Sequence, residues 1–358
     1  VIRARARRPA LAAMAFAAAA AAASAGASAA EPAEPRAPRR LSETGLYDAD
    51  GRIAPGVERF VPQYPLWTDG ARKSRYVQLP PGASIDVSDA DAWRFPTGTK
   101  VWKEFAWGER RVETRFIWKA TDHGWVFATY VWNEAQTEAV LAPEAGVRNA
   151  HEIAPGKRHS IPAVADCLAC HGLAPSPVLG FGALQLSDDR DPLAPHAEPL
   201  PPGALTLRAL VAQDRLHPRR PEWAKTPPRI RERDPVARAA LGYLSANCGG
   251  CHNDRGPLAR LGLVLLHDVA RDGERDAPEP ARATAVGAPG RYVMPGLAPD
   301  DSRLVAPGDP ERSALLHRLG SRRPSSQMPP LGSVVADAEA VALVRAWIAS
   351  LPVTHAAR

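Results

Sequence analysis

Apolar and polar residues alternate with a period of two between Arg111 and Lys119. Val112, Thr114, Phe116 and Trp118 fall on one face, and Arg111, Glu113, Arg115 and Lys119 on the other, the pattern of a half-buried β-strand. Ile117 alone breaks it. Asp122-His123-Gly124 is turn chemistry, and Trp125 to Trp132 is apolar or aromatic on both faces, which predicts a strand inside a sheet. Upstream, Thr99 to Trp107 reads as a further strand joined through Gly108-Glu109, so the three form an antiparallel meander. Most of the nine tryptophans lie between Trp67 and Trp132, and alternation assigns them to a sheet core rather than to an exposed aromatic platform. Asp86, Asp89, Asp91, Glu104 and Glu113 form neither a paired-carboxylate site nor a calcium loop and are expected to be solvated.

The period changes to helical in the second half. Asp234 is a good N-cap, Pro235 suits the first helical position, and Val236, Ala240, Tyr243 and Leu244 follow on one stripe. Asp309-Pro310 opens another expected helix, with Leu315, Leu316 and Leu319 facing a core and Gly320 as its stop. A closing helix begins near Asp337, carries Ala340, Val344, Trp347, Ile348 and Leu351, and ends at Pro352. A shorter helix is expected from Leu205 to Leu216. The fold class is therefore multidomain α+β, an N-terminal antiparallel β-domain followed by a mainly α-helical region. The expected divisions are a leader at 1–30, a linker at 31–40, a β-rich domain at 41–160, and helical segments at 161–233 and 234–353.

Cysteine placement adds the chemistry. Cys167-Leu168-Ala169-Cys170-His171 and Cys248-Gly249-Gly250-Cys251-His252 are two Cys-x-x-Cys-His motifs, and together they use all four cysteines. This spacing is the mark of covalent c-type haem attachment: two thiols make thioether bonds to the vinyl groups, and the adjacent imidazole becomes an iron ligand. A four-cysteine zinc site, redox dithiols or disulfides would leave the histidine after each pair unexplained. Two covalently attached haem c groups are expected, with His171 and His252 as metal ligands. Met328 stands in a proline-stiffened loop, Ser326 to Gly332, away from any apolar stripe, and is expected to be the sixth ligand of the second iron. For the first iron, Met294, His159, His196 and His217 are the options in reach of the sequence, with His217 preferred because it follows the helix expected to end at Leu216. No acid–base pair is legible beside the first motif.

Arg3, Arg5, Arg7 and Arg8 precede an apolar run from Leu11 to Ala23 and then small residues, the pattern of a cleavable signal peptide ending at Ala29 or Ala30. A periplasmic or secreted location follows, with no transmembrane segment after its removal. Glu31 to Arg40 is rich in proline and alanine and reads as a tether. The formal charge is +6, but four of these charges belong to the leader arginines, so the remainder is near neutral and no clustered basic surface for nucleic acid is expected.

With these motifs in view, Asp234 to Leu351 resembles a class I cytochrome c domain. The resemblance implies that the first and last helices cross near Tyr243 and Trp347, with Cys248 and Cys251 as thioether sites and His252 and Met328 as axial ligands. From Leu41 onward the chain also resembles a family of exported dihaem cytochromes, through Phe95 to Thr99, Val112 to Arg115, Tyr130 to Thr137, Ile161-Pro162, Leu179 to Phe181 and Pro307 to Pro310. That likeness implies a β-domain leading into paired cytochrome segments and carries no substrate. Three functions are expected to compete. The first is an electron carrier serving redox partner proteins. The second is a peroxidase-like or dehydrogenase-linked enzyme with an open first haem. The third is a binding module whose Trp67 or Trp93 is exposed to a partner or polysaccharide.

Overall fold

The computed structural model describes residues 34–274 and 277–353. The expected leader, its two cleavage positions and the start of the linker lie outside the described residues. The central element is a six-stranded antiparallel sheet ordered β1-β2-β4-β5-β6-β7. Its strands are β1 (Glu58–Arg59), β2 (Arg72–Gln78), β4 (Lys100–Trp107), β5 (Arg110–Lys119), β6 (Trp125–Trp132) and β7 (Ala139–Leu141). The expected meander is β4, β5 and β6. The short β3 (Ile85–Asp86) leaves this sheet and pairs in parallel with β10 (Leu216–His217). A hairpin of β8 (Val147–Ala154) and β9 (Lys157–Ile161) leads into α1 (Val164–His171).

Both faces of the sheet are covered, which accounts for Ile117. Trp102, Phe116 and Ala128 are cross-strand neighbours on the outer face and pack with Leu41, Leu46 and Tyr130. Val77, Val101, Ile117 and Phe127 form the adjacent row, turned the other way because successive strand residues point to opposite faces. Val77, Val101 and Ile117 belong to the larger core, which continues through Phe181 and Leu186 into the helices, and Phe127 packs against it. Apolar rows stand on both faces, so neither face could be left wholly to solvent.

The helices after α1 are α2 (Leu207–Ala212), α3 (Glu222–Lys225), α4 (Pro235–Cys248), α5 (Pro280–Ala285), α6 (Ala314–Gly320) and α7 (Ala338–Ser350). Two expectations are corrected here. The helix expected from Leu205 to Leu216 is only α2, because Leu216 and His217 extend to pair with β3. At Asp309-Pro310 the chain makes a 3-10 turn, and α6 begins only after Ser313. The cap of α4 is as expected, Asp234 Oδ1 accepting from Ala237 N at 2.7 Å, and α7 starts where expected, with Asp337 Oδ1 accepting from Ala340 N at 3.1 Å.

Helices α4 and α7 pack together, with Tyr243 and Trp347 both buried in the main core. On α4, Gly242 lies directly under Tyr64, and a Cβ there would overlap the phenol ring. That ring has no room to move. Its hydroxyl donates to Asp191 Oδ2 at 2.9 Å, and Asp191 is itself paired with Arg238 of α4 at 3.2 Å. Gly242→Ala is therefore expected to destabilise by about 1–3 kcal/mol through overpacking, despite alanine's better helix propensity. Urea unfolding of the two proteins measures it, and an equal or more stable variant would refute the account.

Candidate functional site

Helix α1 lies over the inner face of the sheet. Phe127 of β6 packs against His171, with ring centroids 5.5 Å apart. The helix is unusual in burying none of its residues fully. Cys167, Cys170 and His171 instead line a cavity of about 200 Å³, which is walled by the sheet at Val101, Lys103, Arg115 and Ile117. Helix α4 closes the cavity with Tyr243 and Cys248, and the Met328 loop with Pro329 and Leu331. Residues from both motifs thus border one space.

His171 Nδ1 lies 2.6 Å from the carbonyl oxygen of Pro177. Donation there fixes the tautomer and leaves Nε2 as a lone-pair donor, the arrangement found for metal-ligating imidazoles. Burial pushes the ring down to about 4, so it is neutral at physiological pH. Burial also pushes the Cys167 thiol up, and that of Cys248 to about 12. Burial thus disfavours, at these two positions, the thiolates that zinc binding requires.

The second motif begins at the last residue of α4. The backbone N–H groups of Cys251 and His252 donate to Cys248 O at 3.1 and 2.9 Å. Fully buried Asn253 staples the loop, its Nδ2 donating to Gly249 O and Gly250 O, both at 3.0 Å. Sequence reading missed Asn253; its only signal was a short polar residue directly after a turn. Gly249 is required, since a Cβ would meet Ser245 O at 2.5 Å and the Leu266 backbone at 2.8 Å. Gly250 faces Leu179 and Ala174, in the segment following the first motif. The motifs are packed against each other, and the Cys170 and Cys251 thiols are near enough to interact, which raises the proton affinity of one and lowers that of the other.

The nitrogen Nδ1 of His252 is buried without a hydrogen-bond partner among the described residues. Arg318, at the end of α6, acts on this imidazole and lowers its proton affinity further after burial. The same residue holds the Met328 loop: Met328 N–H donates to Arg318 O at 2.9 Å, and Arg318 Nε to Ser326 O at 3.1 Å. Met294 is buried beside Ser302, near Tyr292, whose ring stacks on His317 of α6. No protein-family model, curated protein or solved structure matches the chain. The function is accordingly read from the arrangement of its own residues.

Among the histidines weighed for the first iron, the structure separates the candidates. His217 is exposed in β10 and does not line the cavity. The sequence preference for it is corrected, because the strand pairing with β3 carries it away from the first motif. His196 is tied to Asp337 at 2.8 Å and packs on Trp67. His159 does line the cavity. Its Nε2 is 3.1 Å from Glu113 Oε1 and its Nδ1 3.8 Å from Asp69 Oδ2.

Glu113, expected to be solvated, is wholly buried and also bonded to Arg115 at 2.6 Å. The charged face of β5 looks into the molecule because α1 and the hairpin before it cover that part of the sheet. An acid–base pair therefore stands beside the first motif, contrary to expectation. Among the described residues, no group of three or more potential ligands converges on a metal ion.

A second buried charge cluster supports the other motif. His267 N–H donates to Ser245 Oγ of α4 at 3.0 Å, while its ring lies 2.9 Å from Glu279 and 3.0 Å from Asp272. Burial opposes protonation, but these carboxylates overcome it and raise the imidazole to about 9. A folded pKa above the unfolded value near 6.5 means that the stabilisation is present below about pH 6.5 and is lost as pH rises through 9. Unfolding free energy is expected to fall by up to about 3 kcal/mol across that window. Denaturant titrations at pH 6 and pH 9 test this, and His267→Gln should flatten the difference.

Proposed function

We propose that the chain is a dihaem c-type electron-transfer protein of the cell envelope, acting between redox partner proteins. The observation that carries the reading is the packing of the two Cys-x-x-Cys-His motifs against each other, with Cys167, Cys170, His171 and Cys248 bordering one cavity. Haem iron, when bound, supplies a one-electron ferric–ferrous couple. Cys167, Cys170 and His171 would hold one group, and Cys248, Cys251 and His252 the other, with Met328 as a further, soft ligand. Pro177 orients His171, Asn253 shapes the second loop, and the apolar walls exclude water. Adjacent attachment sites favour exchange between the two groups without a partner.

A second reading, an enzyme with an open first haem, is favoured by one feature: His159, hydrogen-bonded to Glu113, lines the cavity that His171 also lines, and such a pair can hold or move a proton at His159. The binding-module reading draws less support. Trp93 is buried against Phe181 and Trp223, and Trp67 is half-buried with its indole N–H donating to Val335 O at 2.9 Å.

The deciding experiment matures the protein in a periplasm competent for haem attachment and counts haem as the pyridine haemochrome. Two per chain are expected, and fewer would sink the proposal. Carbon monoxide added to the reduced protein then separates the first two readings. No binding leaves the carrier; binding at one of two haems makes peroxide turnover the next measurement.

A further inference from the structure

The inner face of the sheet carries a feature that packing alone does not explain. Arg75 of β2, Lys103 of β4 and Arg115 of β5 are direct cross-strand neighbours, so three cations stand in one row. Like charges placed opposite one another in a sheet are destabilising, and here all three border the cavity. The outer two have partial compensation. Arg75 pairs with Glu198 at 2.9 Å, and Arg115 with Glu113. Nη2 of Arg75 is buried without a hydrogen-bond partner among the described residues. Lys103, in the middle, has no carboxylate partner among the described residues and rests over the Phe105 ring at 5.1 Å. Burial first, and then the neighbouring cations, disfavour its charged form, so an anion beside it is what would keep it an ammonium. Asp166 is the one acidic side chain among the residues lining the cavity, against these three cations and Arg322. The space is short of negative charge.

The row stands two residues along each strand from Val77, Val101, Ile117 and Phe127, that is, about 7 Å from the row on which His171 packs. In protohaem the two propionates are carried by the pyrroles opposite those bearing the vinyl groups. A haem joined through its vinyl edge at Cys167 and Cys170 brings in two carboxylates, and anions of this type complete a buried cationic site through charge-assisted hydrogen bonds.

We propose that Arg75, Lys103 and Arg115 form the seat of the propionates of the haem attached at Cys167 and Cys170, which makes the β-sheet part of the cofactor site. This inference rests on the dihaem reading above and adds the residues that hold the far edge of the group. Lys103 is the side chain whose partner the propionate supplies.

The test compares wild type with Lys103→Met and Lys103→Arg, each matured with haem and first counted by pyridine haemochrome. Lys103→Met removes no side-chain hydrogen bond found among the described residues and relieves the crowding of like charges, so folding is not at risk; Lys103→Arg keeps the cation. Resonance Raman spectra are then recorded in the propionate-bending region, alongside the midpoint potentials. Wild type and Lys103→Arg should share the band position. Lys103→Met should shift part of that band to lower frequency and lower one of the two potentials, with the haem count still two.

A potential that falls with the band unmoved would show a long-range charge effect and overturn the proposal. So would a band unmoved together with a visible-spectrum response to added nitrite that Lys103→Met abolishes, since the row would then serve a soluble anion. A count below two in wild type would remove the dihaem reading itself, a failure distinguishable from either.

Discussion

Joint replacement of Cys167 and Cys170 by alanine is expected to halve the haem content of the matured protein and to make the segment from Val164 to His171 its most protease-sensitive stretch, while the rest stays folded. The asymmetry follows from burial. Helix α1 has no fully buried residue and faces the cavity with its two thiols and His171, so on the proposed reading its apolar partner is the cofactor. A helix of eight residues is too short to persist without tertiary contacts. By contrast, α4 buries Ala237, Ala239, Ala240, Leu241, Tyr243 and Leu244 in the main core, and the sheet is closed on its outer face by Trp102, Phe116 and Tyr130. Neither needs α1 to stay assembled. Pyridine haemochrome quantitation with limited proteolysis followed by mass spectrometry reads both effects. Retention of two haems would show that attachment occurs elsewhere, and global proteolysis would show that α1 is integral to the core.

Trp347→Ala is expected to cost about 3–5 kcal/mol of unfolding free energy, the range for removing a large aromatic side chain from a packed interior. Trp347 is fully buried where α7 packs on α4, with Val344 and Ile348 from the same helix beside it in the core. Its indole nitrogen has no hydrogen-bond partner among the described residues, so the loss is one of packing and apolar burial rather than of a bond. Since α4 ends on Cys248, loosening the helix pair also loosens the start of the second motif, and lower haem occupancy should accompany the fall in stability. A loss below about 1 kcal/mol in urea unfolding would contradict the packing account.

Much of the local structure was legible because local rules produce it. The alternation in β5, the turn at Asp122 to Gly124 and the caps at Asp234 and Asp337 all depend on residues close in sequence, and each element formed within a residue or two of its expected bounds. Helix α2 did not, because Leu216 and His217 exchange helical hydrogen bonds for a pairing with Ile85 and Asp86 more than a hundred residues away. The delay in α6 has a similar origin. Ser313 Oγ donates to Asp309 O and accepts from Ala306 N, which turns the chain before the helix can start.

By itself the sequence determined the chemistry on offer: two thiol pairs each followed by histidine, a strand meander, and capped helices on either side of the second pair. Only the tertiary structure decided how these meet. Periodicity could assign Glu113 and Arg115 to the polar face of a strand, but whether that face meets water depends on what the rest of the chain lays over it. The hairpin before α1 brings His159 onto Glu113, and α1 brings the first motif over Phe127. The row of Arg75, Lys103 and Arg115 arises from three strands separated in sequence and joined by register. Spacing along a chain sets which atoms a motif can offer; burial, charge balance and the contact between distant motifs are properties of long-range packing, which no local pattern encodes.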